Sequence, residues 1–132
     1  MIVYLIRHGE STANAAKIHS CWSPVPLTEK GKTDALRAKR YLQGKTIDRV
    51  ISSDLVRARE TAAIVFPDRA PEISPLLREI SVGNLTGKTV EQCTEEFGEV
   101  FLHARSIRDY RVDKQKEEKK NHFKSKISSQ IR

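Results

Sequence analysis

Read from the amino terminus, apolar and polar positions follow two rhythms. Ile2-Val3-Tyr4-Leu5-Ile6 is an unbroken, β-branched-rich apolar run, the pattern of a strand covered on both faces. It stops abruptly at Arg7-His8-Gly9-Glu10. From Glu29 to Leu42 the residues Ala35, Ala38, Tyr41 and Leu42 recur at helical spacing, with Thr28 placed to cap the start and Gly44 standing where the helix would end. Val50-Ile51-Ser52 predicts a second short strand. Asp54 is then placed as the N-cap of a helix whose stripe is Leu55, Ala58, Ala62 and Val65, closed by Pro67. Ile73 to Ile80 reads as a weaker extended segment broken by Pro75. Gly83 and Gly87 mark turns, and Thr89 to about Ala104 predicts a further helix. Strand, helix, strand, helix, strand, helix is the order of an α/β fold: three layers, a mostly parallel sheet flanked by helices.

At Asp113 the rhythm is lost. DKQKEEKKNHFKSKISSQIR has little apolar periodicity and reads as a solvated helix or a disordered tail. The expected organisation is therefore one domain over residues 1–112 and a basic tail over 113–132, with no internal repeat. The tail carries seven Lys and Arg against three acidic residues, +4 of the chain's net +7, which leaves +3 for residues 1–112. The basic balance thus describes a tail more than a nucleic-acid-binding face. Six lysines and Arg132 would give salt-sensitive, non-specific affinity for nucleic acid. Phe123 is the lone interleaved aromatic and Glu117 and Glu118 interrupt the charge, so a solvated tail is the expectation.

A length of 132 residues with 38% hydrophobic and 31% charged content fits one globular domain and excludes collagenous, membrane or wholly disordered classes. The longest apolar run, Met1 to Ile6, falls far short of the ~20 residues a spanning helix needs. A secretory leader places a cation before a longer apolar stretch, whereas Arg7 follows this one. Cys21 and Cys93 allow at most one bridge and no disulfide scaffold. A cytoplasmic protein is expected. No cluster has metal-ligand spacing, and neither a metal nor a cofactor is expected.

Charged residues directly after a buried strand lie at its carboxyl end, where open α/β sheets build ligand sites. Arg7 and His8 take that place after the first strand. Arg57 falls in the first turn of the helix after the second strand, where free N–H groups and the helix dipole favour anions. Two arginines at adjacent strand ends suit one phosphoryl group, and Glu79, after the third extended segment, reaches the same mouth.

These residues fall in a larger pattern. Arg7-His8-Gly9-Glu10-Ser11-x-x-Asn14, Pro26-Leu27-Thr28-x-x-Gly31, Ser52-Ser53-Asp54-Leu55-x-Arg57-Ala58-x-x-Thr61-Ala62 and Leu77-Arg78-Glu79 together resemble the histidine phosphatase superfamily, the phosphoglycerate mutase-like proteins, over roughly residues 1–100. The resemblance implies that His8 is the nucleophile that forms a phosphohistidine. It implies that Arg7, Arg57 and Asn14 hold the phosphoryl oxygens, and that Glu79 protonates the leaving alkoxide and then activates water. It places Ser20 and Cys21 at the substrate mouth.

Two departures from the family pattern stand out. Cys21 and Pro24 occupy loop positions where relatives often have Gly and Asp. The family also completes its phosphate pocket with a late histidine that follows a strand and precedes Gly. His19, His103 and His122 fit neither requirement. The resemblance is expected to stop near Val112, as in a truncated or frameshifted member with an unrelated ending. The function expected is phosphomonoester hydrolysis through His8 on a small phosphorylated substrate, impaired by the missing histidine. The alternatives are mutase-type phosphoryl transfer and a non-catalytic remnant that binds phosphate or protein. Trp22, in a Pro-rich loop, is expected to pack rather than to stack on a ligand, and Cys93 to be semi-buried and unreactive.

Overall fold

The computed structural model describes residues 1–99 and 101. Met1–Val90 form one compact unit, and the described residues from Glu91 on belong to a second. The expected tail, His103, His122 and the boundary at residue 112 lie outside the described residues.

The first unit is built around two helices and a two-stranded parallel sheet. A single helical turn, α1 (Thr12–Ala15), opens it. Ser11 caps α1 by accepting from the Asn14 N–H at 3.2 Å, and the Asn14 side-chain Oδ1 accepts from the Ser11 N–H at 3.0 Å, a reciprocal capping box. The longest helix, α2 (Glu29–Leu42), begins as expected: the Thr28 hydroxyl accepts from the Gly31 N–H at 3.0 Å. Glu29 in the first turn and Lys39 and Arg40 in the last complement the helix dipole. Its inward line is Gly31, Ala35, the half-buried Ala38 and Leu42. Tyr41, expected on that line, is 70% exposed and lies under the Lys45 ammonium, 5.0 Å from its ring centroid.

β1 (Ile51–Ser52) pairs in parallel with β2 (Glu72–Ile73), Ile51 opposite Glu72 and Ser52 opposite Ile73. Between them runs α3 (Val56–Val65), which gives the expected strand–helix–strand crossover. Ala35 and Leu42 of α2 and Val65 of α3 make the core, with Tyr4, Ala38, Ile47, Ile64 and Phe66 packed around them. α3 stops before Pro67, as predicted, with Phe66 as its C-cap. Its start differs from prediction: Leu55 is the N-cap and makes no side-chain capping bond. Asp54 turns its carboxylate to Arg78 instead, because an arginine fork offers an ionised carboxylate a stronger bond than one helix N–H.

After β2 the chain makes a 3-10 turn at Pro75–Leu77, where Pro75 was expected to break the strand, and another at Gly83–Leu85. Gly83 and Gly87 have positive φ, +55° and +86°, as turn positions require. In the second unit the chain is helical over residues 91–99, in the predicted segment, and Cys93 is fully buried rather than semi-buried. Among the described residues no helix is long and apolar enough to cross a membrane.

The first predicted strand departs most from expectation. Ile2–Ile6 is not strand; Ile2 and Leu5 are 77% and 94% exposed, and only Tyr4 reaches the core. An apolar run becomes a strand when a neighbour takes up its backbone N–H and C=O groups, and β1 pairs with β2 instead.

Candidate active site

His8 follows the exposed run, in a loop fastened to both helices. The Gly9 N–H donates to the Thr61 hydroxyl of α3 at 3.1 Å, and that hydroxyl donates to the Arg57 carbonyl at 2.8 Å. On the other side, the Glu10 carbonyl accepts from the Thr28 N–H at 2.9 Å. The Glu10 carboxylate takes the Thr28 hydroxyl and the Lys30 ammonium, at 2.9 and 2.7 Å.

These ties set the imidazole. His8 Nδ1 lies 2.7 Å from the Gly9 carbonyl, which accepts only, so Nδ1 carries the proton. Nε2 is left with its lone pair, and the Arg57 Nε–H points at it from 3.1 Å. Burial holds the His8 pKa below the ordinary 6.5; the Arg57 and Arg7 charges press it the same way, while the Gly9 bond and Glu79 oppose. A neutral ring with a directed Nε2 lone pair results, the form a nitrogen nucleophile needs.

Arg57, the second residue of α3, is 1% exposed. Besides His8, its guanidinium donates to the Cys21 carbonyl at 2.8 Å and, at 3.5 Å, to that of Ser23. Among the described residues the carboxylate paired with it is Glu79, 3.6 Å away with its side chain 66% exposed. The charge is thus buried on neutral acceptors and only loosely compensated, which favours an anion beside it.

The structure therefore brings His8, Arg57 and Glu79 together and sets Arg7 beside them, exposed. Asn14 is exposed on α1, and its side-chain Oδ1 is used by Ser11, in the cap and through a hydroxyl bond at 2.9 Å. Ser20 is half-buried, and its carbonyl closes a turn with the Ser23 N–H at 2.7 Å. Cys21 is 8% exposed, its carbonyl holds Arg57, and its sulfur accepts from the Val82 N–H at 3.3 Å. Its φ of +43° is unusual for a side-chain-bearing residue. Cys21 and Cys93 are both free thiols.

The sequence motifs include Thr61 and Arg78 without a role for either, and Trp22 was expected only to pack. Thr61 stands four residues after Arg57, one turn on along the same face, and that spacing was the available signal. Its substitution by valine should leave the buried Gly9 N–H without an acceptor in the same shape. A loss of about 1–3 kcal/mol is expected, read by denaturant unfolding; an unchanged midpoint would remove Thr61 from the loop's support.

A family model for the histidine phosphatase superfamily (branch 1) matches residues 3–132, past residue 112, where the motifs predicted that the resemblance would stop. An adenosylcobalamin/alpha-ribazole phosphatase of Salmonella typhimurium is 39% identical over 103 residues, 76% of this chain and 51% of that protein. The "Probable phosphoglycerate mutase GpmB" of Photorhabdus laumondii is 40% identical over 96 residues, 71% and 45% of the two chains. Among solved structures, YhfR of Bacillus stearothermophilus superposes with a TM-score of 0.68 at 36% identity, over 74% of this chain and 49% of that one. The chain spans about half the length of the relatives it matches.

Proposed function

Because the chain belongs to the histidine phosphatase superfamily, we propose that its site hydrolyses a small phosphomonoester through a phosphohistidine on His8. One observation carries this reading: the His8 ring is fixed by the Gly9 carbonyl with Nε2 unprotonated and turned toward the buried Arg57.

His8 Nε2 attacks phosphorus, and the bond from phosphorus to the ester oxygen breaks. Arg57 moves its Nε–H from Nε2 to a phosphoryl oxygen as the nitrogen lone pair is spent. Arg7 and the Asn14 amide NH2 supply further donors at the mouth. Glu79, in its acid form, protonates the leaving alkoxide; as carboxylate it then takes a proton from the water that attacks phosphorus. The N–P bond breaks, phosphate leaves, and Nε2 regains its lone pair. Charge accumulates on the phosphoryl oxygens along this path, so donors placed around them are worth most in the transition state.

The test is to quench the full chain in base during turnover of an aryl phosphate. A 31P signal of base-stable, acid-labile phosphohistidine, absent from His8→Ala, is expected. Turnover with no such signal would eliminate the covalent route. A second reading, phosphate binding without turnover, draws on the loose compensation of Arg57. It predicts phosphate affinity that survives His8→Ala and disappears in Arg57→Ala.

The pH dependence follows from His8. Its pKa is depressed below 6.5, so the ring is neutral at pH 7, and kcat/KM should be flat through neutrality on the His8 side. Activity should fall only as pH drops through the lowered value, where protonation occupies Nε2 and sets an N–H against the Arg57 N–H. Removing a cation relieves the depression, so Arg7→Gln should move that acid limb to higher pH. A limb centred above 6.5 in the parent chain would contradict the burial argument.

A further inference from the structure

We propose that Trp22 is the positioning residue for Glu79: its indole N–H holds the Glu79 carbonyl while its ring carries Arg78, which Asp54 grips from the start of α3. The inference extends the reading in which Glu79 is the proton donor, and it answers a question that reading leaves open.

Glu79 has little else to place it. It lies between two 3-10 turns, in no helix or strand. Its 3.6 Å pair with Arg57 leaves the carboxylate 66% exposed, and an ion pair so long and so wet fixes a side chain poorly. The backbone is held instead. Trp22 Nε1 donates to the Glu79 carbonyl at 2.7 Å. The Arg78 guanidinium lies over the Trp22 ring, 4.8 Å from its centroid, within cation–π range. The same Arg78 guanidinium is held by Asp54, its Nε donating to both carboxylate oxygens, at 2.8 and 3.1 Å. Three residues on, the Val82 N–H rests on the Cys21 sulfur at 3.3 Å. Cys21 and Trp22 thus grip the 78–82 segment at three points, Arg78, Glu79 and Val82. The same Cys21 holds Arg57 through its carbonyl. One loop therefore sets the spacing between the arginine and the carboxylate. Trp22 is 49% exposed, so its ring is not required to fill the core.

The imidazole of His8 is the reporter, because Glu79 acts on it electrostatically alongside Arg57 and Arg7. The experiment is an NMR titration of His8 in the full chain, in Trp22→Phe, in Glu79→Gln and in the double variant. Phe keeps the ring face for Arg78 and deletes only the N–H donor. Glu79 raises the His8 pKa, so Glu79→Gln should lower it. Trp22→Phe should lower it in the same sense, and in the Glu79→Gln background should add nothing. The single tryptophan gives one indole N–H resonance, whose slow exchange with solvent reports the bond to Glu79 directly.

A Trp22→Phe variant that titrates like the parent, while Glu79→Gln is shifted, would overturn the inference. So would equal shifts from Trp22→Phe with and without Glu79, which would show that Trp22 acts on His8 by another path. Turnover of the same variants tests the underlying reading separately. Loss of about tenfold in the kcat/KM of Trp22→Phe on alkyl phosphates, against little on aryl phosphates whose leaving group needs no proton, is the expected pattern for a misplaced acid, because kcat/KM ends at phosphohistidine formation, before the water step that both substrates share. If Glu79→Gln costs nothing on either substrate, Glu79 is not the proton donor, and a coupled His8 titration would still establish the clamp.

Discussion

His8→Ala is expected to reduce phosphomonoester turnover to the level of buffer alone, with the folded chain otherwise intact. The imidazole is half-buried and makes its bonds to its own neighbour and to Arg57, so alanine removes the proposed nucleophile and opens space without unseating the loop. Gly9 stays fastened through its N–H to Thr61. Among the described residues, no other side chain brought to the site suits attack on phosphorus: Arg57 and Arg7 are cations, and Glu79, the proposed proton donor, stands 3.6 Å from Arg57. Arg57→Lys makes the instructive comparison. A lysine keeps the charge but cannot serve Cys21, Ser23 and the phosphoryl group together, as a planar fork can. A fall of about 10²–10³ in kcat is expected from losing the aligned donor, larger for transition state than for phosphate binding. Steady-state hydrolysis of one aryl and one alkyl phosphate by parent, His8→Ala and Arg57→Lys checks both. Residual turnover in His8→Ala above that of Arg57→Lys would reverse the assignment of roles.

How much of this was legible in the sequence depended on whether the signal was local. Thr28 capping Gly31, the stop before Pro67 and the turns at Gly83 and Gly87 are decided by a few adjacent residues, and the structure has them where periodicity and turn chemistry put them. The meeting of His8 with Arg57 was also readable, since each follows a run that the sequence marks as a strand, although the first of those runs is not strand in the structure. Asp54 shows the limit. Its position before a helix is an N-cap signal, yet Arg78, 24 residues away, outbids a backbone N–H for the same carboxylate. Ile2–Ile6 shows it again: composition marks an apolar strand, but a strand is a property of two segments, and the pairing partner is not written in the run itself. Trp22 was read as packing because an indole in a Pro-rich loop usually packs. What it does here rests on a carbonyl 57 residues away, for which no local pattern exists.

Gly31→Ala puts local and tertiary physics in direct opposition, and the sign of the result decides between them. Gly31 lies within α2, and in a helix interior alanine is favoured over glycine by about 1 kcal/mol. By propensity alone the variant should be more stable. Tertiary contact predicts the reverse. A Cβ on Gly31 would stand 2.1 Å from the Glu10 carbonyl oxygen, and a Cβ on Gly9 2.1 Å from the Gly31 oxygen. The intruded atoms are backbone on both sides, so no rotamer change relieves them; the His8 loop must lift away from α2. Lifting it stretches the Thr28 bond to Glu10 and the Gly9 bond to Thr61 together. Overpacking of this kind costs ~1–3 kcal/mol where side chains can shift, and the upper end or beyond is expected here, net of the helix gain. For a chain of this size a loss of 3 kcal/mol lowers Tm by roughly 10–20 °C. Gly44→Ala supplies the contrast: nothing lies within 4 Å of its Cβ position, and only its φ of +76° opposes the change, at about 1–2 kcal/mol. Thermal unfolding of the two variants should rank Gly31→Ala well below Gly44→Ala, with the His8 resonance displaced in the first and unmoved in the second. A Gly31→Ala chain as stable as the parent would mean that the His8 loop does not rest on α2, and the geometry drawn for the nucleophile would fall with it.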